Sequence, residues 1–216
     1  MPTRRPKPPA PTTVLFVRHG QTATTGTVLP GRAPGLHLSD AGRQQADAVA
    51  ERIAATNGKV AAIYASPLER TKETAAPIAR KLGLRVRVER DLLECDFGEW
   101  TGKQLKALMK LPEWHTVQRY PTGFRFPGGE SFPEMQARIE RAVDRMRERH
   151  PGETVIAVSH ADPIKALVAA AVGTHLDLFQ RIVISPCSVT AITFGAGGPV
   201  VLGVNSVGTL SELKPS

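Results

Sequence analysis

Three short apolar runs set the frame: VLFV at 14–17, VAAIYA at 60–65 and TVIAV at 154–158. Each has the length and branching of a strand buried on both faces. Helical patterns follow at 40–56, 67–82 and 163–172. Alternation of this kind predicts an α/β fold: a three-layer α/β/α sandwich with a mostly parallel central sheet. Two later runs, SVTAITF (188–194) and VVLGVN (200–205), meet at the turn GAGGP and are expected to complete the sheet, one of them free to run antiparallel. That turn is a poor nucleotide fingerprint, since no helix follows it.

The residues just past each run carry the functional information. Arg18 and His19 follow the first, and Ser66-Pro67-Leu68-Glu69-Arg70 follows the second. Ser66 and Glu69 have capping-box spacing with Pro67 at the first helical position, which puts Arg70 in the first turn. Ser159-His160-Ala161-Asp162-Pro163 follows the third, with Asp162 read as the cap. Open α/β sheets bind ligands at the carboxyl ends of their strands. Two arginines and two histidines are therefore expected to converge there.

Two guanidiniums suit a tetrahedral dianion, because each presents a planar fork of donors. Helix N-termini add amides and a positive dipole end. A neutral imidazole is a competent nucleophile toward phosphorus. The expectation is that His19 attacks a phosphomonoester while Arg18, Arg70 and His160 hold the equatorial oxygens. Glu94, in LLECDFGEWTG, is the candidate donor of a proton to the leaving alkoxide. A zinc site built from His19, His160 and Glu94 has suitable ligand types, but two adjacent arginines make a dication unwelcome.

The segments VRHGQT, SPLERTKETA, LLECDFGEWTG, PGGES and VSHADPIKAL, in this order, resemble the signature segments of the histidine phosphatase superfamily, phosphoglycerate-mutase-like branch. The resemblance implies the three-layer fold, phosphohistidine chemistry and no required cofactor or metal. It implies His19 as nucleophile, Arg18, Arg70 and His160 as the phosphate pocket, and Glu94 as proton donor. Two departures stand out. Thr25 occupies a position where many relatives carry Asn, and Ala161 one where relatives often carry Gly. Both are kept as phosphate-binding candidates, Thr25 through its hydroxyl. Asp162 next to it could also repel acidic substrates. A homodimer is compatible with the resemblance.

Only 66 positions separate Glu94 from His160, fewer than in the glycolytic mutases of this family. The segment bearing their substrate-carboxylate arginines has no counterpart here, which favours a phosphatase over a phosphomutase. A phospholigand-binding protein without turnover is the third reading, and the joint presence of all five principal residues argues against it.

Composition narrows the remaining classes. The net charge is +8, of which three units lie in the tail MPTRRPKPPAPTT. Residues 1–13 are expected to be a disordered Pro-rich tail ahead of a single domain over 14–216. The other cations alternate with acids, as in RIERAVDRMRERH, where Met135, Ile139, Val143 and Met146 make one helical stripe. That pattern argues against a nucleic-acid partner and leaves a small phosphomonoester as the expected one. No run reaches the ~20 apolar residues of a membrane span. Cys95 and Cys187 fit no disulfide framework, which points to a cytoplasmic setting.

Residues 98–132 read as a small cap insertion. With Phe97 they hold seven of the eleven aromatic residues, and also Lys103, Lys106, Lys110, Arg119 and Arg125. They are expected either to roof the strand ends or to anchor a loop-rich excursion. Ser131 and Glu134 have capping-box spacing. Arg32, in the Gly- and Pro-rich segment 29–42, is read as able to reach a second anionic group of the substrate.

Overall fold

Val14 and Phe16 of β1 (Thr12–Arg18) face one side of the sheet, and Leu15 and Val17 the other. The same alternation holds in β2 (Val60–Ala65) and β4 (Thr154–Ser159), whose inner residues are fully buried on both faces. A strand of this kind must be covered twice, and two helical layers do so. One face packs on α1 (Asp40–Ala54) and α2 (Glu69–Leu82), through Val49, Ile53, Ala75 and Ile78. The computed structural model describes residues 10–56 and 58–208.

The order of the six strands is β3-β2-β4-β1-β5-β6, with β3 at Val86–Val88, β5 at Val189–Gly195 and β6 at Gly198–Ser206. The first four are mutually parallel, and β5 runs antiparallel to both β1 and β6. Between β3 and β4 come α3 (Leu105–Leu108), α4 (Pro112–Arg119) and α5 (Phe132–Arg149), and α6 (Ala161–Ala171) follows β4. The second face packs on α5 and α6. Met135, Ile139, Val143 and Met146 are all buried along α5, as their spacing predicts. Each such side chain removed from water contributes about 1.5–3 kcal/mol.

Sequence expectation and structure part at several boundaries. Thr12 and Thr13, assigned to the tail, belong to β1, and the Thr12 hydroxyl donates to the His150 carbonyl at 2.8 Å. Residues 1–9 of the expected tail lie outside the described residues. The start of α2 is Glu69 and its N-cap is Leu68, which makes no side-chain cap bond. The Ser66–Glu69 capping box is therefore not formed. Asp162 is not a cap either: His160 holds that position and Asp162 lies in the first turn, paired with Lys165 at 3.3 Å. The box at Ser131 and Glu134 does form, with both reciprocal bonds. Strand β3 and the two cap helices carry too little periodicity for their length to be read from sequence.

The cap aromatics build a core of their own. Trp100 stacks on Trp114 with ring centroids 6.3 Å apart, and Phe126 meets Phe97, Phe124 and Phe132 edge-on. Phe132 reaches Phe179, so this cluster continues beneath α6. Of the two roles considered, anchoring is the one these rings fill.

Candidate active site

Strands β2, β4 and β1 are adjacent and parallel, with Ala65 opposite Val158 and Arg18 opposite Ser159. The ladder carries on one residue past the strands: the Ser66 amide donates to Val158 O and the His19 amide to Ser159 O, both at 3.0 Å. Sheet register thus brings residues 19, 66 and 160 to one level. Gly20 lets the chain turn away, since a Cβ there would stand 2.6 Å from the Gly42 carbonyl. Gly42 is equally constrained, because its own Cβ would meet Gln21 O at 2.0 Å. The loop after β1 and the start of α1 are pressed backbone to backbone.

The imidazoles of His19 and His160 are 5.2 Å apart between centroids and both are buried. His19 Nδ1 sits 2.7 Å from the Gly20 carbonyl, which can only accept, so Nδ1 carries the proton and Nε2 a lone pair. Arg70 spans the two rings. Its Nε donates to His19 Nε2 at 3.3 Å and its Nη2 to His160 Nδ1 at 3.2 Å and Gly31 O at 2.8 Å. With Nδ1 accepting, His160 Nε2 donates to Ser66 Oγ, 2.9 Å away. The hydroxyl expected to cap α2 orients this second imidazole instead.

Charge and burial act together on these groups. Burial, then the Arg70 and Arg18 charges, push the His19 pKa down to about 3, against a smaller upward pull from Gly20 O. His160 is held well below the ordinary histidine value by burial and Arg70. Both rings are neutral near pH 7, the state a nitrogen nucleophile requires. Arg70 is wholly buried, yet its Nη1 has no partner, and the buried Nε of Arg18 is likewise unpaired. Arg18 Nη1 donates to Ile184 O at 2.6 Å. Unpaired cationic donors are costly unless an anion completes them.

Glu94 is buried and lies within the influence of both arginines. Burial, with the Asp162 charge, raises its pKa to about 7, although the Cys95 amide (2.9 Å to Oε1) and the arginines pull it down. Such a carboxyl holds a proton near neutrality and can release it. Among the described residues no group of three or more His, Cys, Asp and Glu side chains is arranged to hold a metal ion.

The remaining candidates sit differently. Thr25 turns its hydroxyl to the Thr22 amide at 2.9 Å and the Thr22 hydroxyl at 3.0 Å. Ala161 opens α6, so its amide is among the helix N–H groups without an intrahelical acceptor. Arg32 does not extend toward a second substrate anion: it donates to Glu94 O (2.9 Å), Asp96 (3.2 Å) and Glu130 (2.8 Å). Asp96 is thereby half-buried. His150 is buried beside Tyr64. Ser66, and Arg138 of α5, which donates to Glu94 O at 2.9 Å, had no distinguishing signal, as one reads as a cap and the other as a solvated helix charge.

A sheet that gathers two neutral imidazoles and two guanidiniums at its carboxyl edge defines a class of phosphoryl-transfer folds, and the comparisons agree. The chain belongs to the histidine phosphatase superfamily (branch 1), which it matches over residues 14–207. It is 38% identical over 202 residues to the bifunctional protein Rv2228c of Mycobacterium tuberculosis, covering 93% of this chain and 55% of that protein. The chain therefore spans about half the length of the curated relatives it matches first. Phosphoserine phosphatase 1 of Hydrogenobacter thermophilus is 32% identical over 204 residues, 92% of this chain and 94% of that one. Among solved structures, mycobacterial glucosyl-3-phosphoglycerate phosphatase Rv2419c superposes with a TM-score of 0.80 at 26% identity, covering 90% of this chain and 98% of the other. Among the described residues no helix is long and apolar enough to cross a membrane.

Proposed function

We propose that this chain is a phosphomonoester hydrolase that acts on a small phosphorylated metabolite through a phosphohistidine at His19. The observation that carries the reading is the Arg70 fork, bonded to His19 Nε2 and His160 Nδ1 with Nη1 left to donate. In the first step Nε2 of His19 bonds to phosphorus as the P–O ester bond breaks. Glu94 gives its proton to the departing oxygen. Arg18, Arg70 and the amide of Ala161 stabilise the equatorial oxygens, and His160 joins them by moving its one proton to Nδ1 while Ser66 Oγ donates to Nε2, so guanidinium charge supplies what a metal ion supplies elsewhere. In the second step water attacks phosphorus, the N–P bond breaks, and the Glu94 carboxylate takes the proton released by water. Orthophosphate leaves and the neutral imidazole returns.

Retention of the whole constellation supports turnover over mere phospholigand binding, and relatives named as phosphatases support hydrolysis over mutation. The test is phosphate release from p-nitrophenyl phosphate and a panel of small phosphomonoesters, with labelled 3-phosphoglycerate followed in parallel. Net hydrolysis is expected. Isomerisation of 3-phosphoglycerate without net hydrolysis would make the chain a mutase, and binding without release from any panel member would make it a non-catalytic receptor.

A further inference from the structure

Glu94 reaches the site from an irregular stretch, and what holds that stretch is a buried ionic cluster the reaction itself does not use. Its hub is Glu130, from the PGGES segment. Glu130 Oε1 accepts from Arg32 Nη2 (2.8 Å), Arg138 Nη2 (2.7 Å) and the Asp96 amide (2.9 Å), and Oε2 accepts from Arg138 Nε (3.1 Å). Both arginines then turn to one atom: Arg32 Nε and Arg138 Nη2 each donate to the Glu94 carbonyl at 2.9 Å. Arg138 also ties down Asp91 O at 2.9 Å. Its side chain is 8% exposed and that of Glu130 15%, so these charges are largely screened from water.

The partners come from three separate places. Arg138 belongs to the rigid helix α5 and Glu130 to the turn just before it. Arg32 belongs to the loop that hands Gly31 O to Arg70. That loop is sewn to the cap, through Leu29 N to Lys103 O at 2.9 Å and Gly102 N to Leu29 O at 2.8 Å. Gly31 has φ +51° and packs so closely on Thr101 that a Cβ would stand 2.8 Å from its hydroxyl. Two more glycines close the far side: a Cβ on Gly98 would meet Pro127 O at 2.1 Å, and one on Gly129 would meet Asp96 O at 2.2 Å. The segment carrying Glu94 is thus clamped from both sides by backbone that leaves no room for slack.

We infer that Arg32, Glu130 and Arg138 form a positioning clamp that fixes the Glu94 carboxyl relative to the phosphate cradle, and that Glu130 is its keystone. The inference rests on the proton-donor role of Glu94 given under Proposed function. Glu130 touches no reacting atom, so its effect must run through the carboxyl it positions. The consequence is selective. A displaced general acid harms esters with a basic leaving group and spares those whose leaving group departs unprotonated.

The test compares an alkyl phosphate with p-nitrophenyl phosphate in Glu130→Gln, Arg32→Ala and, as reference, Glu94→Gln. Glu130→Gln keeps the shape of the hub but removes its charge, and Arg32 is the more exposed arm, so its loss leaves the α5 partner in place. In both clamp variants kcat on the alkyl ester is expected to fall at least ~10-fold further than kcat on p-nitrophenyl phosphate, a smaller version of the Glu94→Gln split. Equal losses on the two esters in both clamp variants, or none, beside a clear split in Glu94→Gln, overturn the clamp alone. Absence of a split in Glu94→Gln itself overturns the proton-donor assignment and the clamp with it. Should Glu130→Gln fail to fold, Arg32→Ala decides by the same ratio.

Discussion

Arg70 Nε lies 3.3 Å from Nε2 of His19, with the guanidinium donating to the lone pair that the proposed mechanism directs at phosphorus. The contact fits the tautomer with Nε2 unprotonated and lowers the basicity of the ring, while Nη1 of the same guanidinium stays unpaired. In the proposed mechanism Nε2 therefore exchanges this hydrogen bond for a bond to phosphorus. When a phosphoryl group arrives, the same fork moves its donation from nitrogen to oxygen.

Replacing Arg70 by Lys keeps the charge and removes the planar fork. A lysine is a point charge and cannot serve His19, His160 and an oxygen together. The expected result is a drop of ~100-fold or more in kcat/KM on p-nitrophenyl phosphate, the scale of losing one oxyanion donor. Steady-state kinetics with a matching melting curve check it, and a loss below tenfold argues against the cradle.

In the proposed mechanism Glu94 sets the alkaline limb of activity. Its pKa is raised to about 7, so the proton it donates is present below that pH and lost above it. On an alkyl phosphate kcat/KM is expected to fall as pH rises through about 7, and Glu94→Gln should erase that limb. Asp162 holds the value up through its charge. Asp162→Asn should therefore move the limb to lower pH, and a shift the other way would contradict the assigned sign.

Gly42→Ala tests the fit of the nucleophile loop against α1. The new methyl would fall 2.0 Å from Gln21 O, against backbone that cannot rotate aside. Overpacking of this kind costs about 1–3 kcal/mol. Thermal unfolding should show a lowered midpoint, and the displaced loop should lower turnover as well. An unchanged midpoint would mean the loop and helix are not in register as described.

Much of this site is readable from sequence because a parallel sheet turns strand order into proximity. His19, Arg70 and His160 each stand just beyond a recognisable apolar run, and adjacency of β2, β4 and β1 does the rest. Ser66 shows where that reasoning stops. Local spacing made it a helix cap, yet its hydroxyl is taken by His160, 94 positions away in the chain. Arg32 and Arg138 fail for a similar reason. Arg138 reads as solvated on its helix and Arg32 as free to reach a substrate until their acceptor is known, and the Glu94 carbonyl is a backbone atom that no side-chain pattern announces. The cap aromatics were visible as a cluster, but whether they face a ligand or one another depends on packing.

The central claim is that His19 carries the phosphoryl group, and a rapid-quench experiment tests it most directly. Enzyme mixed with radiolabelled phosphomonoester is quenched in alkali, and the labelled peptide is identified. Acid-labile, alkali-stable label on the peptide containing His19, and none in His19→Ala, is the predicted outcome. Undiminished labelling of His19→Ala would contradict the account.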